Sequence, residues 1–264
     1  MTIPVLREPL VRRILITNDD GINAPGLAVL EEIARTLAEE VWVVAPEHDR
    51  SGAGQSISIH SPLRAYEAGD KRYALSGTPA DCVLYALAQW FGETPPDLVL
   101  SGVNCGANIS DSVQYSGTVG AVLSASHMGI PAIALSQAFL TRDGINWSPV
   151  SRYGEEMVRR LYQPGAVRAW NVNFPACDAA EISQARYCRQ STGSIQRARL
   201  LAGQDARSLP YWWLGFERSS RHIVEPDTDV AVLRDKAIAI TPLRHEDPLP
   251  GGIESFDLAA GQAG

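Results

Sequence analysis

Ile14-Leu15-Ile16-Thr17-Asn18-Asp19-Asp20-Gly21 puts two adjacent carboxylates directly behind an apolar run. A continuous apolar stretch suits a strand buried on both faces, and open α/β sheets gather their ligands outside the carboxyl ends of such strands. Side-by-side carboxylates repel each other, and the repulsion is relieved when one takes a proton or when a cation sits between them. Oxygen donors favour a hard divalent ion such as Mg²⁺ or Mn²⁺. The competing reading is an ordinary turn, because Asn, Asp and Gly all suit turns.

Outward from this stretch the chain keeps a regular rhythm as far as Pro175. Leu27, Leu30, Ile33, Ala34 and Leu37 recur at helical spacing, and Val41-Trp42-Val43-Val44-Ala45 then reads as a second buried strand. Helices over 81–91, 118–127 and 149–162 alternate with strands over 98–100, 132–135 and 170–174. Such alternation predicts an α/β fold with a doubly wound, mostly parallel sheet. Beyond Pro175 the rhythm fails until Ala237-Ile238-Ala239-Ile240-Thr241. Three regions are therefore expected: a core over 1–175, a β-rich subdomain or oligomerisation arm over 176–247, and a fraying Gly- and Ala-rich tail over 248–264. The Tyr211-Trp212-Trp213 cluster fits either a contact surface or packing against the core.

Composition narrows the function classes. The 264 residues are 45% hydrophobic and 20% charged, with a formal net charge of −7, which offers no electrostatic basis for wrapping a polymeric nucleic acid. Cys82, Cys105, Cys177 and Cys188 form no CxxC pair and no zinc-type spacing, and read as free buried thiols. No stretch reaches the roughly 18 apolar residues of a membrane span, so a soluble cytoplasmic protein is expected. His48, His60, His127, His222 and His245 show no paired metal spacing and read as surface or packing residues.

Further candidate ligands occupy equivalent places in the rhythm. Arg50-Ser51-Gly52-Ala53-Gly54 follows the second strand, and Ser101-Gly102-Val103-Asn104-Cys105-Gly106-Ala107-Asn108 follows the strand ending at Leu100. A Ser hydroxyl and an Asn carbonyl can complete an oxygen shell without adding charge, and glycines let backbone N–H groups approach a phosphate. In Tyr115-Ser116-Gly117-Thr118-Val119-Gly120, Ser116 or Thr118 can cap the next helix, whose N-terminus suits a phosphate dianion or is simply an ordinary cap.

Together the loops Thr17–Gly21, Arg50–Gly52, Ser101–Asn104 and Tyr115–Gly120 resemble the SurE stationary-phase survival proteins, a family of metal-dependent 5′-nucleotidases. Gly77-Thr78-Pro79-Ala80-Asp81-Cys82, Asn171-Val172-Asn173-Phe174-Pro175 and Asp227-Thr228-Asp229-Val230 extend the likeness over about residues 13–243. The resemblance implies a Rossmann-like core with a smaller C-terminal arm, and a homodimer or homotetramer. It implies that Asp19, Asp20, Ser51 and Asn104 bind one divalent cation, Mg²⁺ or Mn²⁺, with Asp19 and Asp20 catalytic. Gly52, Asn108, Ser116, Gly117 and Thr118 would line the phosphate site. The expected substrate is a nucleoside 5′-monophosphate, with 3′-nucleotides and polyphosphate as further candidates. Ser124 departs from the family, which commonly carries glutamate there, and puts helix packing or an interface in question.

Other chemistries match less well. A haloacid-dehalogenase site needs carboxylates at i and i+2 behind an apolar run, whereas Asp19 and Asp20 are adjacent and Asp227-Thr228-Asp229 follows Glu225-Pro226. No cysteine has an arginine six residues on, no Arg-His-Gly triplet occurs, and the first strand-helix turn lacks GxGxxG. The rival of a different class is a non-catalytic sensor that binds metal and nucleotide through the same ligands.

Overall fold

The computed structural model describes residues 8–141, 144–182, 184–218 and 224–243. Its main sheet has nine strands, numbered in chain order: β1 (Val11–Thr17), β2 (Ala38–Pro46), β3 (Ala65–Gly69), β4 (Arg72–Leu75), β5 (Leu98–Cys105), β6 (Ala132–Gln137), β7 (Ala169–Phe174), β8 (Ala185–Tyr187) and β11 (Ile238–Pro242). Across the sheet they lie in the order β3-β4-β2-β1-β5-β6-β7-β11-β8. From β4 to β7 every pairing is parallel, while β3 and β11 run antiparallel to β4 and β7. The α/β, mostly parallel sheet is as expected. A separate antiparallel ribbon joins β9 (Ile195–Gln204) to β10 (Pro210–Arg218).

Alternation along β1 divides the core. Ile14 and Ile16 join Leu27, Leu30 and Ile33 of α1 (Pro25–Leu37) and Val150, Met157 and Val158 of α4 (Ser148–Leu161) on one face. Leu15 faces the other way, onto Cys82, Val83 and Ala86 of α2 (Pro79–Ala86) and Val119, Val122 and Ala125 of α3 (Gly117–His127). Successive strand residues point to opposite faces, so a continuous apolar run supplies both layers. From β1 the chain winds outward to β2 and β4, then returns to β5 on the opposite side of β1. This reversal makes the crevice between the carboxyl ends of β1 and β5 the topological switch point, where open α/β sheets bind ligands.

Several elements differ from the sequence reading. β5 does not stop at Leu100 but runs to Cys105, with a register shift between Ser101 and Asn104 where it pairs with β6. Gly102 permits this course: its φ is 134°, and a Cβ there would lie 2.2 Å from the Leu135 carbonyl oxygen. The helix expected over 81–91 begins at Pro79 and passes into a π-helical turn over Leu87–Phe91. The β3–β4 edge had no clear signal. In the C-terminal region β8 and β11 extend the main sheet, and α5 (Asp229–Arg234) lies between the ribbon and β11. The 248–264 tail lies outside the described residues. Among the described residues no helix is long and apolar enough to cross a membrane. All four cysteines are free; Cys82 and Cys188 are buried, whereas Cys105 and Cys177 are only half-buried, a partial correction to the buried-thiol expectation.

Candidate active site

The Asn18–Gly21 segment is both a turn and a site. Asn18 closes the turn by donating from Nδ2 to the Gly21 carbonyl and accepting the Gly21 N–H at Oδ1, at 2.9 and 3.2 Å. Between these ends Asp19 is buried and Asp20 half-buried. Thr118 donates its hydroxyl to Asp19 Oδ1 at 2.7 Å, and the Cys105 N–H donates to Asp20 Oδ2 at 3.0 Å. Each carboxylate thus has one oxygen fixed by a protein donor from a different element.

The candidate loops converge on the pair. The Arg50 N–H donates to the Asp19 carbonyl at 2.7 Å and the Gly54 N–H to the Tyr115 carbonyl at 3.0 Å, so the 50–54 loop is tied to β1 and to the turn before α3. Asn104 donates from Nδ2 to the Gly106 carbonyl at 2.7 Å; among the described residues no donor reaches its Oδ1. Asp19, Ser51, Gly52, Asn104, Asn108 and Ser116 line one cavity of about 220 Å³. A larger cavity of about 700 Å³ includes Leu123, Cys188, Arg189 and Leu243 but gathers no carboxylate in its walls.

Ser116 rather than Thr118 caps α3, accepting the Val119 N–H at 3.1 Å, so its own proton remains to be donated. The Thr118 side chain is fully buried, and its hydroxyl is taken up by Asp19. Gly117 is required by the approach of α3 to Asp19, because a Cβ there would lie 2.8 Å from Asp19 Cβ and 3.0 Å from Pro79 Cγ. Gly52 adopts φ 84° with open space around it.

Burial pushes the Asp19 carboxyl up from 3.8 to about 6; the Thr118 hydrogen bond opposes the rise and the Asp20 charge adds to it. A raised native value means that the folded chain holds this proton more tightly than the unfolded chain. Its stabilising contribution is complete below pH 3.8 and is lost as pH rises through about 6. For the metal-free protein, urea unfolding of wild type and Asp19→Asn should diverge between pH 4 and 7, the variant gaining up to about 3 kcal/mol relative to wild type. A constant difference across that range would show that Asp19 does not titrate there.

Comparison with known proteins fits this geometry. The family model described as "Survival protein SurE" matches residues 14–197. The chain belongs to the SurE family. A relative from Burkholderia lata, named 5′-nucleotidase SurE 1, is 42% identical over 90% of this chain and 93% of its own. One from Bradyrhizobium diazoefficiens, named 5′-nucleotidase SurE, is 43% identical over 95% and 99%. The crystal structure of the SurE protein from Aquifex aeolicus superposes with a TM-score of 0.73 at 32% identity, covering 88% of this chain and 92% of that one.

The remaining SurE-like segments hold the site without entering it. Thr78 and Asp81 form a reciprocal cap at the start of α2. Asn171 and Asn173, on one face of β7, both donate to the Asn108 carbonyl, at 2.8 and 3.1 Å, and Asn173 Oδ1 accepts the Asn108 N–H at 2.8 Å. Sequence reading took these residues as strand; their signal was amide side chains at alternate positions of a central strand. Asp229 is buried and accepts the Ser110, Ser191 and Val230 N–H groups, whereas Asp227 is exposed and paired with Arg189, so the two do not form a reactive dyad. Ser124 donates to the Gly120 carbonyl at 2.8 Å and accepts from Gln55, and α3 continues unbroken to His127. His48 and His60 are exposed and His127 meets Gln55 at 3.2 Å; His222 and His245 lie outside the described residues.

Sequence reasoning gave no role to Tyr115, although it opens one of the quoted loops, and missed Ser112, Ile195, Phe216 and Arg218, which complete the cavity wall. Three of these come from the β9–β10 ribbon, more than 70 positions beyond the loops they face, and no local pattern links them.

Proposed function

We propose that this SurE protein is a divalent-metal-dependent phosphatase that hydrolyses nucleoside 5′-monophosphates to nucleoside and inorganic phosphate. The observation that carries the reading is the meeting, in one cavity at the switch point, of Asp19, Asn104 and a helix N-terminus capped by Ser116, with Asp20 next in sequence and bonded to the N–H of Cys105 on the same wall. The names of its relatives support the same substrate class.

The residues fit a hard cation. Among the described residues no group of three or more His, Cys, Asp or Glu side chains comes together, so a metal here relies on two carboxylates completed by neutral oxygens. Asn104 presents such an oxygen, Ser51 stands on the same cavity wall, and the burial that raises the Asp19 carboxyl to about 6 makes its charged form one that a nearby cation would stabilise. Asp19, Asp20, Ser51 and Asn104 would hold Mg²⁺ or Mn²⁺. When bound, that ion supplies charge neutralisation at a phosphoryl oxygen and at the attacking water.

The chain's own groups do the remaining work. Ser116 donates its hydroxyl proton toward a phosphoryl oxygen, and the positive end of α3 favours the dianion. Thr118 and the Cys105 N–H keep the two carboxylates from turning, so little reorganisation is needed as charge builds on the equatorial oxygens. Water attacks phosphorus in line as the bond to the 5′ oxygen breaks. Tyr211, Trp212 and Trp213 are exposed rather than packed against the core, which supports a homodimer or homotetramer built through the ribbon and readable by sedimentation.

The test is phosphate release from a panel of 5′- and 3′-nucleoside monophosphates and polyphosphate, with Mg²⁺ or Mn²⁺ and with chelator. Release from 5′-nucleotides that chelator abolishes is expected. Tight nucleotide binding without release would instead identify a sensor.

A further inference from the structure

The base of the β9–β10 ribbon is built into the cavity rather than left beside it. Asp111, in the 3-10 helix Ser110–Tyr115, accepts the Ile195 N–H at 2.8 Å, the Gly193 N–H at 3.1 Å and the Ser194 hydroxyl at 3.2 Å. These bonds hold the Asp111 carboxyl below its usual range, the Ile195 N–H contributing most. One residue earlier, the Ser110 N–H is tied to buried Asp229 at 2.9 Å, and the same carboxylate takes the Ser191 N–H. The start of β9 is therefore fixed from both sides to the segment that leads into Ser116. Ile195 pairs with Arg218 in the ribbon register, which fixes the backbone of the end of β10 by the same anchorage.

Two features of this wall remain unexplained by phosphate hydrolysis alone. Tyr115 and Phe216 pack ring against ring, centroids 5.1 Å apart and planes tilted by 32°, yet each keeps over 40% of its surface open. Both rings line the cavity of about 220 Å³, which is too small to enclose a whole nucleotide, so their open surface is where the part of the substrate beyond the phosphate and sugar comes to lie. Charge gives the second argument. A single divalent ion only balances Asp19 and Asp20, and an incoming phosphate dianion still needs positive charge; among the described residues lining the cavity, Arg218 is the cationic side chain.

We infer that the ribbon base is the substrate-selecting wall of the site: the Tyr115–Phe216 pair stacks the nucleobase and Arg218 holds the phosphate. This rests on the nucleotidase reading and deepens it. An aromatic face accepts any base, because every base presents a π-face, so purine and pyrimidine 5′-monophosphates are both substrates and sugar phosphates without a base bind more weakly. Arg218 offers planar, paired donors suited to phosphate oxygens.

Titration calorimetry of the full chain with Mg²⁺, using adenosine and inorganic phosphate as probes that cannot be hydrolysed, separates the two contacts. Phe216→Ala and Tyr115→Ala should each weaken adenosine about tenfold and leave phosphate within about twofold. Arg218→Ala should do the reverse, by about tenfold on phosphate. Tyr115 and Phe216 lie on different elements, so agreement between their variants excludes a ribbon that merely fails to fold. Equal weakening of both probes, weakening of neither, or no adenosine binding to the wild type would overturn the inference. Hydrolysis of adenosine 5′-monophosphate by the same wild-type sample is read separately: its absence would overturn the nucleotidase reading, while the binding pattern still decides the role of the wall.

Discussion

Asp20→Ala should lower metal-dependent phosphate release by at least about a thousandfold while the chain stays folded. On the proposed function the size follows from what is removed: half of the anionic charge that would attract the cation, and with it the electrostatic stabilisation of phosphoryl transfer, where losing even one well-placed donor costs about 10²–10³ in rate. The fold should survive because Asp20 is half-buried rather than part of the core, and its Oδ2 accepts from the backbone, at the Cys105 N–H. Leaving that N–H without its acceptor costs about 1–3 kcal/mol. Asp20→Asn separates the two effects, since its carbonyl can still accept from Cys105 while the charge is gone. Both variants should be comparably inactive, and Asn should melt closer to wild type. Activity above a tenth of wild type in Asp20→Asn would remove the Asp20 charge from the chemistry. Asp19→Asn is a poorer first test, because Asp19 is buried and its neutralisation changes stability with pH as well as metal binding.

What could be read in advance divides along the range of the interactions. The apolar run Ile14–Ile16, the helical spacing from Leu27 to Leu37 and the Asp19-Asp20 pair are local patterns, and the mostly parallel sheet and the place of the carboxylates behind a buried strand followed from them, whereas the strand order that makes this place the switch point did not. The course of β5 was misread because Ser101-Gly102-Val103-Asn104 has loop composition; the extension depends on Gly102 lying against the Leu135 carbonyl, a contact set by β6. Thr118 was read with Ser116 as a candidate cap of α3; Ser116 caps the helix, and which way the Thr118 hydroxyl turns is decided by Asp19, 99 positions away. Arg218 and Phe216 left no trace for the same reason. Their part in the cavity is created by Asp111 and Asp229 anchoring a ribbon whose own sequence reads as a β-rich arm with an aromatic contact surface, not as part of a site.

That long-range fit makes Gly117 the second position where a small change should have a large effect. A methyl group at Gly117 would stand 2.8 Å from Asp19 Cβ, 3.0 Å from Asp19 Oδ2 and 3.0 Å from Pro79 Cγ. Neither Asp19 Cβ nor the proline ring is the loose end of a flexible side chain, so Gly117→Ala must move the start of α3 or the end of β1. Overpacking of this kind costs about 1–3 kcal/mol, and a displacement near 1 Å at a reacting centre costs about 10² in rate. Gly117→Ala is therefore expected to remain folded, to lose about a hundredfold in phosphate release, and to need more metal for half-maximal activity. Gly129→Ala is the matched control. It lies outside the cavity wall and carries its own backbone strain at φ 79°, about 1–2 kcal/mol for a residue with a Cβ, but no atom lies within 4 Å of the added methyl. Measured side by side, the two should show similar melting temperatures and very different rates. If Gly117→Ala kept its rate while losing stability, the tight approach of α3 to Asp19 would be a feature of packing alone, and the alignment of the Asp pair would have to be credited to Thr118 and Cys105 instead.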